Sequence, residues 1–225
     1  MKLATFSRDR CLETVKRPAI STLHDSPRGE ALLLRMYLEG EEQAEQAVLL
    51  DADRTAMPVW LGRWLEKHRS DEARHAAMLR ARLRDVTGED VEATGHMDPV
   101  SRWKLQRLFR LASERASRFE HGLVVPLLAV AWRMERMAVR VFERHIDVLE
   151  KQQSKSPTLD LLRELLKDER RHAAVMHRAL MRLTQAPELN ELHVLVAKID
   201  GIERAFGISG AVLMLTMGFV YRATS

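Results

Sequence analysis

One five-residue pattern occurs twice in this chain. Asp71-Glu72-Ala73-Arg74-His75 returns, nearly intact, as Asp168-Glu169-Arg170-Arg171-His172. In each copy a Glu is followed three residues later by a His, inside a long stretch whose apolar residues recur at helical spacing. On a helix, positions i and i+3 share a face, so each copy directs one carboxylate and one imidazole the same way. An oxygen and a nitrogen donor presented together suit iron, manganese or zinc. A single Glu-x-x-His is weak evidence in a charged helical chain. Two with matching surroundings constrain more. Leu65 and His68 precede Glu72 on its face and Leu79 follows; Leu165 and Leu166 precede Glu169 and Met176 follows. An unpaired carboxylate on such an apolar stripe is costly. The competing reading, two salt-bridge helices facing solvent, does not account for those stripes.

The 225 residues, 46% hydrophobic and 30% charged, are enough for one sizeable core. With Gly and Pro sparse and Leu, Ala, Arg, Glu and Met abundant, mostly helix is expected. The net charge of +4 indicates neither nucleic acid nor an anionic membrane as partner, and no basic run sits beside exposed aromatics. Cys11 is the one cysteine, so neither a disulfide framework nor a thiolate metal cluster can form. Residues 1–10 lack the apolar run of a signal peptide, which leads us to expect a cytoplasmic protein.

Residues 1–25 read as mixed and partly irregular. A first helix is expected from about Gly29 to Arg54, with Leu34, Tyr37, Leu38, Ala44 and Val48 as its apolar stripe. Glu41 falls in the middle of that stripe. Glu42, among Glu39, Glu45 and Gln46, has a wetter setting and is the alternative inward carboxylate. A second helix runs from about Pro58 to Val86, its inner side carrying Trp60, Trp64, Leu65, His68, Glu72, His75 and Leu79. After Thr87-Gly88, Asp98-Pro99 caps a shorter helix reaching about Glu120, part of a 37-residue crossover from Thr87 to Leu123. The next helix spans about Val124 to Lys151, and Glu135 is the one carboxylate on its apolar stripe. Ser156-Pro157 caps another, Pro157 to about Leu183. Finally, Leu189 to Phe206 is amphipathic and ends before Gly207, and Ile208 to Tyr221 is almost wholly apolar. That last segment is shorter than the roughly 20 residues of a spanning helix. Burial against the core or a second subunit is expected, with docking on a membrane surface through 208–221 as the alternative.

Two halves emerge, each offering Glu, Glu and His: Glu41, Glu72 and His75, then Glu135, Glu169 and His172. The separations, 31 residues from Glu41 to Glu72 and 34 from Glu135 to Glu169, let antiparallel partners bring both residues of a half to one level. Four carboxylates neutralise two divalent ions. Without ions they repel and take up protons.

At these residues the chain, over about 29–183, resembles the ferritin-like di-iron superfamily, whose members include ferritins, rubrerythrins, quinone-ring hydroxylases, a tRNA hydroxylase family and fatty-acid or amine oxygenases. The run Gly40-Glu41-Glu42-Gln43-Ala44 is similar to the start of the quinone-hydroxylase motif. The resemblance implies a single all-α domain: a ferritin-like four-helix bundle over 29–183 with a long crossover and an accessory helical segment at 187–222. It implies that Glu41, Glu72, His75, Glu135, Glu169 and His172 hold two Fe ions per chain, with Mn as the alternative metal, Glu72 and Glu169 bridging. A rubrerythrin's cysteine-ligated iron domain is excluded by the single cysteine.

Other residues are placed around this set. His68, one turn before Glu72, is read as an outer partner or channel residue. Asp71 and Asp168 are read as acceptors for the outer nitrogen of a ligand His, each more suited to the His of the other motif, or else as ordinary surface acids. Tyr37 and Trp132 are redox-active candidates or simply core. His24, His96, His121, His145, His177 and His193 are isolated and read as surface or satisfied core histidines. The crossover and the apolar tail favour a di-iron oxidase or monooxygenase acting on a small organic substrate with dioxygen and an electron donor, as a homo-oligomer, most simply a dimer. The alternatives are a ferroxidase or iron-storage protein using the same ligands, and a non-catalytic helical interaction protein.

Overall fold

The computed structural model describes residues 2–47, 57–90, 99–153 and 155–223. Among these the chain is all-helical, with no strand: α1 (Lys2–His24), α2 (Pro27–Ala47), α3 (Val59–Thr87), α4 (Pro99–Arg115), α5 (Val124–Lys151), α6 (Pro157–Leu183) and α7 (Leu189–Ala223). Local chemistry sets several ends. Ser156 Oγ accepts the Thr158 N–H at 3.2 Å, and Pro157 occupies the first position of α6. Gly88, at φ 72°, closes α3 by donating its N–H to Arg84 O at 2.8 Å. Between α1 and α2 the backbone doubles back so tightly that a Cβ at Gly29 would lie 2.0 Å from Leu23 O, so only glycine fits. The expected cap at Asp98, and the expected end of the first helix from Val48 to Arg54, lie outside the described residues, as does the side chain of Ala44.

The helices pack as pairs. α2 runs against α3 and α5 against α6, and α3 lies along α6, joining the two pairs. α1 and α7 form a third pair, which leans on α2 and α5; α4 bridges α5 and α7. Buried side chains divide into two apolar layers. One combines the first half of α3 (Leu61), α4 (Leu108), the first half of α5 (Val124 to Ala131), the second half of α6 (Met176 to Leu183) and α7 (Leu195). The other combines α1 (Leu23), α2 (Leu34, Leu38), the second half of α3 (Leu79, Leu83), the second half of α5 (Phe142, Leu149) and the first half of α6 (Leu162, Leu165). Between them α3 contributes residues 68–75, α5 Glu135 and α6 residues 168–172, all charged or imidazole on the inward face. A leucine buried in either layer contributes roughly 1.5–3 kcal/mol, so the helices are held on both sides of this polar level.

Four expectations are corrected. Residues 2–24 form a helix rather than an irregular segment. Its own sequence is weakly patterned and carries Pro18, but Ala19, Ile20 and Leu23 are buried and α7 packs along it, so tertiary contact outweighs local signal. The last helix does not stop before Gly207 but continues unbroken to Ala223. Glycine costs a helix about 1 kcal/mol. Here it allows close approach: a Cβ would meet Lys16 Nζ at 3.3 Å from Gly207, and the Thr22 side chain at 3.2 Å from Gly218. The apolar tail is buried on one face only. Ala211 and Gly218 are buried and Met214, Met217 and Tyr221 pack on the second layer, while Leu213 is 63% and Phe219 59% exposed. By length and composition α7 is long and apolar enough to cross a membrane. The crossover helix also ends earlier than expected, at Arg115, where a 3-10 turn over Ala116–Arg118 takes over.

Candidate metal centre

On α3, His68, Glu72 and His75 stand at i, i+4 and i+7 and therefore share one face. That face meets Glu169 and His172 from α6, Glu41 from α2 and Glu135 from α5, and all seven side chains are buried. They form two overlapping groups, Glu41, Glu72, His75 and Glu169, and His68, Glu72, Glu135 and His172, in each of which the donor atoms lie within 4.8 Å of one another. Glu72 belongs to both. His75 Nδ1 is 3.2 Å from Glu41 Oε2 and 3.3 Å from Glu169 Oε1. His172 Nδ1 is 3.0 Å from Glu72 Oε1, 3.8 Å from Glu169 Oε1 and 3.9 Å from Glu135 Oε2. His68 Nε2 is 2.9 Å from Glu135 Oε1 and 3.3 Å from Glu72 Oε1.

Glu72 Oε1, Glu169 Oε1 and His172 Nδ1 are buried without a hydrogen-bond partner. Buried polar atoms are normally satisfied. Three lone-pair-bearing atoms converging unsatisfied on one space are what a cation requires. Such buried His and Glu groups can hold a metal ion.

The outer nitrogens of two imidazoles are held in a crossed arrangement. His75 Nε2 on α3 faces Asp168 Oδ2 on α6 at 3.3 Å, and His172 Nε2 on α6 faces Asp71 Oδ2 on α3 at 3.3 Å. The motif arginines cross too. Arg74 pairs with Asp168, and Arg171 pairs with Asp71 at 2.8 Å while also touching Asp168 at 2.9 Å. Each five-residue motif thus supplies inner donors from its Glu and His, and its Asp and Arg brace the other motif. An acceptor on the outer nitrogen fixes the tautomer and leaves Nδ1 facing inward.

Electrostatics follow from this crowding. Burial, then the carboxylates of Glu169 and Glu72, push the carboxyl of Glu135 well above its ordinary value. Burial likewise raises Glu41, beyond what its hydrogen bond from His75 takes away. Burial also works to raise Glu72, but the neighbouring His172 imidazole and Glu41 carboxyl hold it down at about 2. For His75, burial opposes the charge, yet the carboxylates of Glu169 and Glu41 raise it to about 11. Burial lowers His68 to about 4, which keeps its imidazole neutral.

No known protein family, curated protein or solved structure matches this chain.

The site's chemistry therefore rests on its own residues. Two placements differ from the sequence reading. Glu42 is not in a wet setting: it is buried like Glu41, because Arg80 closes over it at 2.6 Å, but it points to that arginine while Glu41 points to His75. His68 is an inner member of the cluster, not an outer one. Tyr37 stands one turn before Glu41 and shares a hydrogen bond with His145 Nδ1 at 3.0 Å, with Phe142 edge-on. Trp132 lies tilted against His177, centroids 4.8 Å apart, at the edge of the first apolar layer. The roles of Arg74 and Arg171 went unread, although their equal position in both motifs was the available signal.

Proposed function

We propose that this chain is a di-iron oxidase or monooxygenase of ferritin-like build, which activates dioxygen and oxidises a small organic substrate. One observation carries the reading: two overlapping donor groups share Glu72 and surround unsatisfied Glu72, Glu169 and His172 atoms between two apolar layers. Bound there, a pair of iron ions would pass electrons from an external donor to dioxygen and the resulting oxidising power to the substrate.

The chain's part is positional and electrostatic. Glu41, Glu72, Glu135 and Glu169 offset the four positive charges of two divalent ions. Burial pushes the carboxyls of Glu41 and Glu135 toward the protonated form, and cations taking the place of those protons would release them. His75 and His172 each donate Nε2–H outward, to Asp168 and Asp71, and present Nδ1 inward. Leu61, Trp64 and Leu65 on one side and Ala76 and Leu79 on the other keep water from the polar level. α4 and α7, which enlarge the first apolar layer, are the elements available to shape a cavity for an organic substrate.

The test is to mix anaerobic, ferrous-loaded protein with oxygen and excess Fe²⁺. The proposal expects oxygen to be consumed without iron accumulating, in a small oligomer. Rapid multiple-turnover iron oxidation by a large mineralised cage would assign a ferroxidase instead. Absence of bound metal would leave a helical interaction protein.

A further inference from the structure

The repeat that organises the site is broken at one inward position. His68 precedes Glu72 by four residues; the matching position, four before Glu169, is Leu165. Leu165 is fully buried in the second apolar layer. His68 instead reaches the polar level, with Nε2 2.9 Å from Glu135 Oε1 and 3.3 Å from Glu72 Oε1. Its ring stands edge-on to His172 at 4.2 Å and is backed by the stacked Trp64 at 5.2 Å. Packing between Trp64 and His172 holds the ring where Nε2 meets both carboxylates.

Resting on the di-metal reading above, we infer that His68 is a seventh ligand and that it makes the two ion positions chemically unlike. One position is built from His68, His172, Glu135 and the shared Glu72; the other from His75, Glu41, Glu169 and the same Glu72. The first offers two imidazoles and two carboxylates, the second one imidazole and three carboxylates. Imidazole favours later first-row ions, and carboxylate favours earlier, harder ones. A later divalent ion therefore enters the His68 position first, and a hard ion such as Mn²⁺ prefers the His75 position. The pair loads in two separable steps and accepts two different metals in a defined arrangement.

The experiment titrates metal-free full-length protein with Co²⁺ alone, followed by calorimetry and visible absorption, in wild type and in His68→Leu, which installs the residue found at the matching position. Two steps are expected in wild type. In His68→Leu the tighter step should weaken by at least about tenfold, the scale on which even an outer partner's loss acts, while the weaker step holds. Two ions bound by His68→Leu with unchanged affinities would overturn the inference and leave the di-metal reading standing. Failure of wild type to bind Co²⁺ would overturn both. Because His68→Leu could misfold, proton resonances of Co²⁺-loaded wild type give an independent answer. Three strongly shifted, exchangeable imidazole N–H signals are expected, from His68, His75 and His172. Two would exclude His68.

Discussion

Asp168→Asn isolates the brace behind one imidazole of the cluster. Asp168 accepts from His75 Nε2 at 3.3 Å, pairs with Arg74 and lies 2.9 Å from Arg171. Its side chain is only 9% exposed, so these interactions are poorly screened. Asparagine keeps the volume and one acceptor oxygen but removes the charge that orients the imidazole and raises its basicity. Loss of such an outer partner costs about 10–100-fold in metal affinity, or roughly 1.4–2.7 kcal/mol. Since Asp168 faces His75 and not His172, one binding step should weaken and the other hold. Competition against a chelator of known affinity measures each step, and chemical denaturation of metal-free protein measures the fold. Glu164→Gln is the control: it removes another Arg74 partner, 3.2 Å away and 58% exposed, and should leave affinity unchanged. Unaltered affinity in Asp168→Asn, or an equal loss in both steps, would refute the reasoning.

Three further outcomes are expected. Glu41→Gln should weaken metal binding strongly, whereas Glu42→Gln, which weakens the pairing with Arg80, should not; elemental analysis of the two variants decides, and an emptied site in Glu42→Gln alone would reverse the assignment. Metal-free protein should lose stability toward both low and high pH. The contribution of His75, raised from 6.5 to about 11, is full below 6.5 and is lost as pH rises through about 11, and that of Glu72, lowered from 4.5 to about 2, is full above 4.5 and is lost as pH falls through about 2. Raised Glu41 and Glu135 add to the alkaline loss, so the melting-temperature gain from bound metal should grow with pH; a gain that shrinks would contradict this. Gly29→Ala should destabilise by more than the 0.5–3 kcal/mol that is typical of point changes, because its Cβ would sit 2.0 Å from a backbone oxygen; a denaturation midpoint within error of wild type would show that the α1–α2 turn relaxes freely.

The parts of the structure legible in the sequence are those whose physics is local. The bounds of α5 and α6 follow from Gly122, Pro126 and the Ser156-Pro157 cap, and Glu135 stood out as the one carboxylate on an apolar stripe. The parts that were not legible depend on distant residues. α1 is a weakly patterned helix because α7 supplies its partner face, and Gly207 looks like a stop because what it accommodates, Lys16, lies 191 residues earlier. Glu42 read as wet because periodicity cannot see Arg80 folding over it from α3. His68 read as peripheral because a two-copy motif directs attention to what both copies share, and His68 is where they differ.

We propose that one polar level holds two metal ions through a shared Glu72. Anaerobic loading with Fe²⁺, removal of excess, and elemental analysis per chain test it most directly. Two ions are expected in wild type and loss of both in Glu72→Ala, with helicity by circular dichroism retained. A wild-type value of zero, or Glu72→Ala retaining two ions, would contradict it.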